Sequence, residues 1–193
     1  MARIEVARTD ELSAVVLEDI RALMDAAFDG DFTDDDWSHS LGGWHVMAWD
    51  GDDVLSHASL VERRLFVDDR ALRGGYVEAV GTAPAHQGRG LGRAVMGPIG
   101  QLILERFDLG ALSTSAHGFY EGLGWERWQG PTSVRHPRRV VRTPDEDDGL
   151  MVLRTPACLD LDLTGSLACE KPVGGRLVAG VGDRVIVNNV VDR

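Results

Sequence analysis

The segment from Tyr76 to Gly92 constrains the fold of this 193-residue chain most, because three backbone patterns follow one another there. An apolar strand pattern leads into the glycine-rich turn Gln87-Gly88-Arg89-Gly90-Leu91-Gly92, and a long helical pattern follows. Glycine lets the backbone approach an anion closely, and the amides and dipole of a helix N-terminus attract negative charge. The sequence therefore predicts a loop that binds the phosphates of a cofactor; a plain strand-to-helix turn is the alternative.

The glycine spacing separates this loop from two commoner phosphate-binding loops. A P-loop needs Gly-x4-Gly-Lys-Ser/Thr, and this chain has no lysine in that place. A dinucleotide-binding loop needs Gly-x-Gly-x-x-Gly, whereas residues 88 to 92 read Gly-x-Gly-x-Gly. Neither a P-loop nor a Rossmann dinucleotide site is expected.

Apolar periodicity predicts a mixed α/β chain in which several strands precede one central helix. Apolar residues three and four positions apart indicate a helix over residues 12–27 and another over 91–107, with a kink but no stop at Pro98. Thr33 is suited to cap a second short helix, and a further short helix is expected within residues 116–125. The predicted strands are 4–7, 44–49, 54–67, 71–82, 109–115 and 150–153. The segment after Trp125, up to residue 149, is predicted to be a loop.

Charge and composition limit the partners of the chain. The net charge of −11 argues against binding to nucleic acid or to an anionic membrane surface. No stretch approaches the roughly 18 uncharged apolar residues of a membrane span, and the first ten residues lack the apolar core of a signal peptide. We therefore expect a cytoplasmic protein. Neither Cys158 and Cys169 nor the six histidines show metal-ligand spacing, so no metal is predicted and both thiols are expected to be reduced.

Two blocks of the chain resemble the GNAT superfamily of N-acetyltransferases. Residues 87–92 match that superfamily's Gln/Arg-x-x-Gly-x-Gly/Ala loop, and residues 119–125 match its Phe-Tyr-x-x-x-Gly-aromatic ending. The resemblance implies the GNAT fold, an α+β arrangement in which helices flank a central, mixed and mostly antiparallel sheet. It also implies acetyl-CoA as the cofactor, with its pyrophosphate on the loop amides.

Three further segments, residues 30–37, 72–78 and 130–134, resemble the aminoglycoside 2′-N-acetyltransferases, and the similarity runs over roughly residues 7–163. It implies that an aminoglycoside 2′-amine attacks acetyl-CoA directly in a ternary complex, that the protein confers antibiotic resistance, and that it is a homodimer. We predict an acetyltransferase domain over residues 1–165 and a divergent extension over 166–193, either an extra strand pair or a loosely attached tail. Family members carry a tryptophan-containing C-terminal segment, and this extension has no tryptophan.

Chemistry and resemblance together point to a set of site residues. An amine attacks a thioester only after it has lost its proton, and a polycationic acceptor binds best among carboxylates. By resemblance, Glu78 accepts the amine proton and Tyr120 protonates the departing thiolate. The resemblance places the cofactor on Val80, Thr82, Gln87, Gly88, Arg89, Gly90, Gly92 and Ser115. It places the acceptor on Asp31, Asp36, Glu78, Asp147 and Asp148, with the choice among Glu146, Asp147 and Asp148 open.

These assignments have alternatives. Glu78 as a solvated strand carboxylate, Tyr120 as a half-buried packing residue and the acidic loop as a solvated surface are the structural ones. Arg89 and Arg93 are as compatible with solvent as with phosphate. Two other functions are also open: acetyl transfer to a different cationic amine or amino sugar, and acyl-CoA or drug binding without catalysis.

Overall fold

The computed structural model describes residues 2–170, in which four α-helices and ten strands alternate irregularly. The helices are α1 (Ala14–Ala27), α2 (Asp34–Ser40), α3 (Leu91–Arg106) and α4 (His117–Glu121). The strands are β1 (Arg3–Arg8), β2 (Trp44–Asp50), β3 (Asp53–Val67), β4 (Arg70–Thr82), β5 (Leu109–Ser113), β6 (Glu126–Arg127), β7 (Thr132–His136), β8 (Arg139–Arg142), β9 (Leu150–Arg154) and β10 (Leu167–Glu170). Within this range no helix combines the length and apolar character that crossing a bilayer requires.

The ten strands of the described range form one mixed, mostly antiparallel sheet. The long strand β3 pairs with β4 along one edge, while on the other edge β2 pairs with its first half and β10 with its last residues. The parallel pairs are β4 with β5 and β7 with β10. From β4 the sheet continues through β5 and β9 to β6, and from β10 it continues through β7 to β8. The predicted fold class, a mostly antiparallel sheet flanked by helices, is confirmed.

The helix α3 packs across β2, β3 and β4 and supplies the largest buried cluster. Its apolar stripe buries Val95, Ile99 and Ile103, each of which contributes about 1.5–3 kcal/mol by leaving water. The helix continues through Pro98 to Arg106, which confirms the prediction that the proline does not stop it. Because its N-terminus lies directly after the glycine loop, the packing of α3 fixes where that loop sits.

The helices α1 and α2 pack against β3 and β4 through a separate apolar cluster. Ser13 caps α1, and Thr33 caps α2 by accepting a hydrogen bond from the Asp36 amide, as the sequence predicts for Thr33. Gly81 on β4 lies so close to Met24 on α1 that a Cβ there would approach the Met24 methyl to 2.7 Å. The two helices are therefore seated directly on the end of β4.

The loop predicted between Trp125 and residue 149 is wrong, because β6, β7 and β8 lie there. β7 and β8 pair in an antiparallel hairpin that places Val134 opposite Val141. Their other side chains are mostly charged or polar, as suits an edge of a sheet, and this conceals the alternation that marks a strand.

The described start of the predicted extension lies inside the main sheet. Leu167–Glu170 form β10, which pairs with β3 on one side and β7 on the other. The boundary at residue 165 stays a prediction. The two alternatives for the tail concern residues 171–193, which lie outside the described range.

Candidate active site

The site begins where two parallel strands part. β4 and β5 are paired only from Gly74–Tyr76 and Leu109–Ala111, although β4 continues to Thr82 and β5 to Ser113. Beyond the last pair a gap opens between them, with residues 77–82 on one side. The predicted base Glu78 and the predicted cofactor residues Val80 and Thr82 all belong to this diverging part of β4.

A β-bulge shapes the diverging part of β4. Glu78 pairs with Ser59 and Gly81 pairs with His57, so two residues of β4 stand opposite one residue of β3. Ala79 lies in the bulge with φ of 50°. The left-handed conformation costs a residue with a side chain about 1–2 kcal/mol, so the surrounding contacts must hold it. A bulge of this kind redirects the side chains beside it, which here include Glu78.

Glu78 is a buried carboxylate that the surrounding protein satisfies incompletely. Its side chain is 6% exposed, and Oε2 has no hydrogen-bond partner within the described residues. Oε1 lies 3.9 Å from Nη2 of Arg63. Burial raises the pKa of Glu78 to about 8, with Arg63 acting to lower it and Asp36 to raise it. The alternative of a solvated strand carboxylate is thus excluded, and the group can exchange a proton near neutral pH.

Tyr120 is completely buried on α4, in the same apolar cluster as Val77 and Val80 of β4. Its ring meets Phe119 and Trp125 edge to face, with centroid distances of 5.0 and 6.1 Å. Its hydroxyl has no hydrogen-bond partner within residues 2–170, and burial raises the pKa of Tyr120 well above its ordinary value. Glu78 therefore lies on one of the two parting strands, and Tyr120 lies on the helix that follows the other.

The glycine loop has the backbone conformation that the sequence predicts. Gly88 and Gly90 have φ of 70° and 77°, which is left-handed backbone, and Gly90 is the N-cap of α3. The first amides of the 16-residue helix α3 therefore face away from the helix and toward the loop. Gln87 donates a hydrogen bond to the Thr82 carbonyl at 3.4 Å, which ties the loop to the end of β4. Gly92 is buried, while Gly88 and Arg89 are exposed.

Arg93 and Ser115 lie at the α4 side of this loop. Nη1 of Arg93 donates to the Gly122 carbonyl at 3.0 Å, so this arginine connects α3 to the end of α4. The arginine is therefore not simply solvent-facing. Ser115 is exposed between β5 and α4.

Two of the predicted acceptor-binding aspartates lie within or just before α2. Asp31 is exposed just before α2, while Asp36 lies within α2 and accepts a hydrogen bond from the Thr33 amide at 2.8 Å. Asp36 is close enough to Glu78 for its charge to raise the pKa of that carboxyl. Arg63 donates to the His39 carbonyl at 2.9 Å, so the same arginine that lies beside Glu78 also holds α2.

The other predicted acceptor-binding residues differ in their exposure and in the hydrogen bonds that they accept from the protein. Asp147 accepts hydrogen bonds from Arg142 and from both the amide and hydroxyl of Thr132, and the Arg142 bond holds its pKa well below the ordinary value. Asp148 is exposed. Both line an open cavity of about 510 Å³ that also meets His117 at the start of α4. Glu146 is buried and accepts a hydrogen bond from Ser113 at 2.9 Å.

Sequence reasoning missed Arg63 and the polar side chains that meet the bulge. Ser56, His57 and Ser59 are each fully buried, and each contacts a carbonyl of β4. The signal for the three buried side chains was the run Ser-His-Ala-Ser between the apolar pairs Val54-Leu55 and Leu60-Val61.

Sequence similarity to known proteins shows which family this chain belongs to. A family model described as an acetyltransferase (GNAT) domain matches residues 9–128, which is more than half of the chain. The chain belongs to the GNAT acetyltransferase family. This GNAT protein is 45% identical over 166 residues to an aminoglycoside 2′-N-acetyltransferase from Mycolicibacterium fortuitum, and the match covers 84% of this chain and 85% of that protein. The predicted family, the acetyltransferase activity and the use of acetyl-CoA are confirmed.

Solved structures agree with the fold of this GNAT acetyltransferase. The GNAT family N-acetyltransferase YhbS from Escherichia coli, solved in complex with CoA, superposes with a TM-score of 0.63 at 15% identity, over 86% of this chain and 88% of that one. A GCN5-related N-acetyltransferase from Kribbella flavida gives a TM-score of 0.54 at 19% identity, over 67% of this chain. The present chain covers 34% of that longer protein. At these identities the likeness concerns the fold.

Proposed function

We propose that this acetyltransferase transfers the acetyl group of acetyl-CoA to the 2′-amine of aminoglycosides such as gentamicin or tobramycin. The name of the M. fortuitum relative supports the acceptor, since 45% identity extends over most of both chains. The observation that carries the chemistry is the buried carboxylate of Glu78, whose Oε2 lacks a protein partner within residues 2–170, at the place where β4 and β5 part. A carboxylate in that environment is suited to take a proton from an incoming amine.

The residues present fit acetyl-CoA at the gap and the glycine loop. The left-handed Gly88 and Gly90, with the N-terminus of α3 behind them, offer amides to a pyrophosphate. We assign the backbone of Val80 and Thr82 to the pantetheine arm, as an added strand beside β4, and Gln87, Arg89, Gly92 and Ser115 to the flanks of the same ligand. Acetyl-CoA, when bound, supplies an acyl group activated as a thioester.

Glu78 acts as the general base in this proposal. Its pKa of about 8 means that the carboxyl loses its proton just above neutral pH, and in the ionised form Oε2 accepts the proton of the acceptor amine directly or through a water molecule. The nearby guanidinium of Arg63 favours that ionised form. Removing the proton frees the lone pair that bonds to the acetyl carbon.

Tyr120 acts as the general acid. Its buried hydroxyl has no hydrogen-bond partner within residues 2–170, and burial favours its neutral, protonated form. The hydroxyl can therefore donate its proton to the sulfur that leaves the acetyl carbon. Neither cysteine is suited to a covalent route, because burial raises the pKa of Cys169 to about 12 and also raises that of Cys158. We therefore propose direct transfer within a ternary complex.

The acceptor is proposed to lie between two acidic regions. Asp31 and Asp36 supply carboxylates on the α2 side of Glu78, and Asp147 and Asp148 supply them at the cavity beside α4. Asp147 already shares its charge with Arg142, so we assign the larger contribution on that side to Asp148. Several separated carboxylates match a ligand that carries several ammonium groups.

One assay tests the proposed function. Thiol release from acetyl-CoA is measured with matched aminoglycosides that carry either an amine or a hydroxyl at the 2′ position, and mass analysis locates the added acetyl group. The proposal predicts turnover only with the 2′-amine. Turnover with the 2′-hydroxy compounds would show that another amine is acetylated. Activity confined to a polyamine or amino sugar would establish the second enzyme function, and CoA binding without thiol release would establish a binding protein.

Three further properties of the protein are proposed together with this function. The resemblance to aminoglycoside 2′-N-acetyltransferases supports a homodimer and antibiotic resistance, and we also propose a cytoplasmic location. Light scattering on the purified protein tests the homodimer, cell fractionation tests the location, and the aminoglycoside tolerance of a sensitive host expressing the gene tests the resistance.

A further inference from the structure

The carbonyl groups of the β4 bulge are held by side chains of β3. Ser59 Oγ donates to the Glu78 carbonyl at 3.0 Å, and Ser56 Oγ donates to the Gly81 carbonyl at 3.0 Å. Between them, His57 Nδ1 bonds to the Ala79 carbonyl at 2.9 Å. All three side chains are fully buried. Because the register shift disturbs the regular backbone ladder at this point, these side chains supply donors where the carbonyls need them.

His57 stands at the end of a buried hydrogen-bonded chain that begins at Thr9. Its Nε2 lies 2.9 Å from Nδ1 of His45, and Nε2 of His45 lies 2.8 Å from the Thr9 hydroxyl. Thr9 in turn accepts a hydrogen bond from the Gly42 amide at 2.9 Å, in the turn that follows α2. The chain therefore joins the turn after α2 to the bulge beside Glu78.

The direction of every bond in this chain follows from its last acceptor. A carbonyl can only accept, so His57 must carry its proton on Nδ1 and accept on Nε2. His45 must then donate from Nδ1 and accept on Nε2. The Thr9 hydroxyl donates to that Nε2 at 2.8 Å, and its contact with the Gly43 carbonyl is longer, at 3.3 Å. Burial lowers the pKa of His57 to about 3 and that of His45 to about 4, so both rings are neutral near pH 7. Both histidines are thus fixed in the Nδ1–H tautomer.

We propose that His57 is a positioning residue for catalysis, whose Nδ1–H bond to the Ala79 carbonyl holds the β4 bulge in the shape that binds CoA and aims Glu78. Ala79 is the residue between Glu78 and Val80, and its left-handed conformation needs such a restraint. Ser56 and Ser59 hold the neighbouring carbonyls, and His45 with Thr9 fixes the ring of His57. This inference rests on the proposed placement of the cofactor at Val80 and Thr82.

Three substitutions of His57 separate positioning from simple packing. In His57→Asn the side-chain amide can occupy the place of Nδ1 and still donate to Ala79, whereas in His57→Gln the amide falls nearer the place of Nε2. His57→Leu removes the donor altogether. Leu161→Ala is the control, because Leu161 is a buried core residue of a different cluster and its truncation lowers stability without touching the bulge.

The measurements are CoA affinity by calorimetry, kcat and KM for acetyl-CoA, and thermal unfolding. We expect about tenfold weaker CoA binding and a lower kcat in His57→Leu and His57→Gln, with both values restored to within about threefold of wild type in His57→Asn. Leu161→Ala should lose stability and keep its CoA affinity. Equal CoA affinity in wild type, His57→Gln and His57→Leu would overturn the proposal, as would losses that follow stability alone across all four variants.

An NMR measurement on the wild-type protein tests the hydrogen-bond geometry of His57 and His45. It does not depend on whether the His57 variants fold. Long-range proton–nitrogen NMR of the imidazoles should show His57 and His45 as neutral Nδ1–H tautomers, and an Nε2–H tautomer at His57 would overturn the proposal. Failure of the proposed function looks different, because wild type itself would then release no thiol with any 2′-amino aminoglycoside while the His57 variants could still alter CoA affinity.

Discussion

Two regions of this acetyltransferase carry predicted acidic site residues, and their surroundings shift the pKa values of these carboxyl groups in opposite directions. At the β4 bulge, Glu78 is buried, one oxygen has no partner within the described residues, and burial raises its pKa to about 8. On the loop before β9, Asp147 is fastened by Arg142 and Thr132, and these bonds hold its pKa well below the ordinary value. The first carboxyl is poised to exchange a proton, whereas the second stays ionised.

This contrast shows that a run of acidic residues in a sequence does not identify the carboxyl group with a raised pKa. The acidic loop has four consecutive acidic residues, 145–148, and attracts attention in the sequence, yet Asp147 serves the β7–β8 hairpin. Glu78 is a single glutamate in an apolar strand. Burial raises the pKa of this carboxyl, and one arginine lies 3.9 Å away; both are properties of the fold.

The largest effect is expected from removing the proposed acid–base function of Glu78. Glu78→Gln keeps the shape of the side chain and cannot accept a proton, so we expect kcat to fall by about 10²–10⁴ with CoA affinity retained. Steady-state kinetics and calorimetry provide both numbers. If kcat stayed within threefold of wild type, Glu78 would not be the base.

Tyr120→Phe should give the next largest loss. The substitution removes the hydroxyl that is proposed to protonate the sulfur, and we expect kcat to fall by roughly 10². Because that hydroxyl has no hydrogen-bond partner within the described residues, the thermal stability should not decrease. A large loss of stability with unchanged kcat would assign Tyr120 to packing alone.

The difference in stability between wild type and Glu78→Gln should depend on pH in a direction that follows from burial of the carboxyl. A carboxyl with a pKa of about 8 in the folded protein and 4.5 ordinarily binds a proton on folding between these two values. The contribution of Glu78 to stability is therefore fully present below pH 4.5 and is lost as pH rises from 4.5 through 8. The glutamine variant avoids that loss. We expect it to exceed wild type by about 2–4 kcal/mol at pH 9, and by nothing at pH 4, in denaturant unfolding.

Arg63 offers a test of what tunes the base. Its charge lowers the pKa of Glu78, so Arg63→Gln should move the rise of kcat/KM to higher pH and reduce activity about tenfold at pH 7. Arg63→Lys keeps the charge and should shift the profile less. The test is the dependence of kcat/KM on pH in wild type, Arg63→Gln and Arg63→Lys. Identical profiles would mean that Arg63 holds α2 and does not affect the pKa of Glu78.

The smallest expected effects compare neighbours on the acidic loop. Asp148→Asn should raise the acceptor KM about fivefold and leave stability unchanged, because its carboxylate is exposed. Asp147→Asn should lower stability by about 1–2 kcal/mol through the lost bonds to Arg142 and Thr132, with a smaller change in KM. A larger rise in KM in Asp147→Asn together with a loss of stability in Asp148→Asn would show that Asp147 binds the acceptor and Asp148 stabilises the loop.

The elements that the sequence predicted well are those governed by local rules. The glycines of the 88–92 loop, the Thr33 cap and the apolar stripe of α3 each reflect short-range backbone or helix chemistry. The hairpin of β7 and β8 was missed because its stability comes from partners elsewhere in the chain, namely β10 and Asp147. Pairing of this kind leaves little trace in a charged segment.

The site was predicted as a set of residues and not as a geometry. Glu78 and Tyr120 were named from family resemblance, but neither the bulge at Ala79 nor the approach of Arg63 could be predicted, since alanine does not ordinarily mark left-handed backbone. The His57 and His45 bonds depend on the register of three strands. Register is set by the packed sheet, so these contacts became visible only in the structure.

The most direct test of the central claim is a titration of Glu78 itself. Carbon-13 NMR of the side-chain carboxyl, assigned by its absence in Glu78→Gln, follows its ionisation with pH in the free enzyme. A buried base beside a single arginine should titrate near pH 8. Titration near the ordinary value of 4.5 would show that burial does not raise the pKa of Glu78, and it would contradict the proposed role of Glu78 as the base.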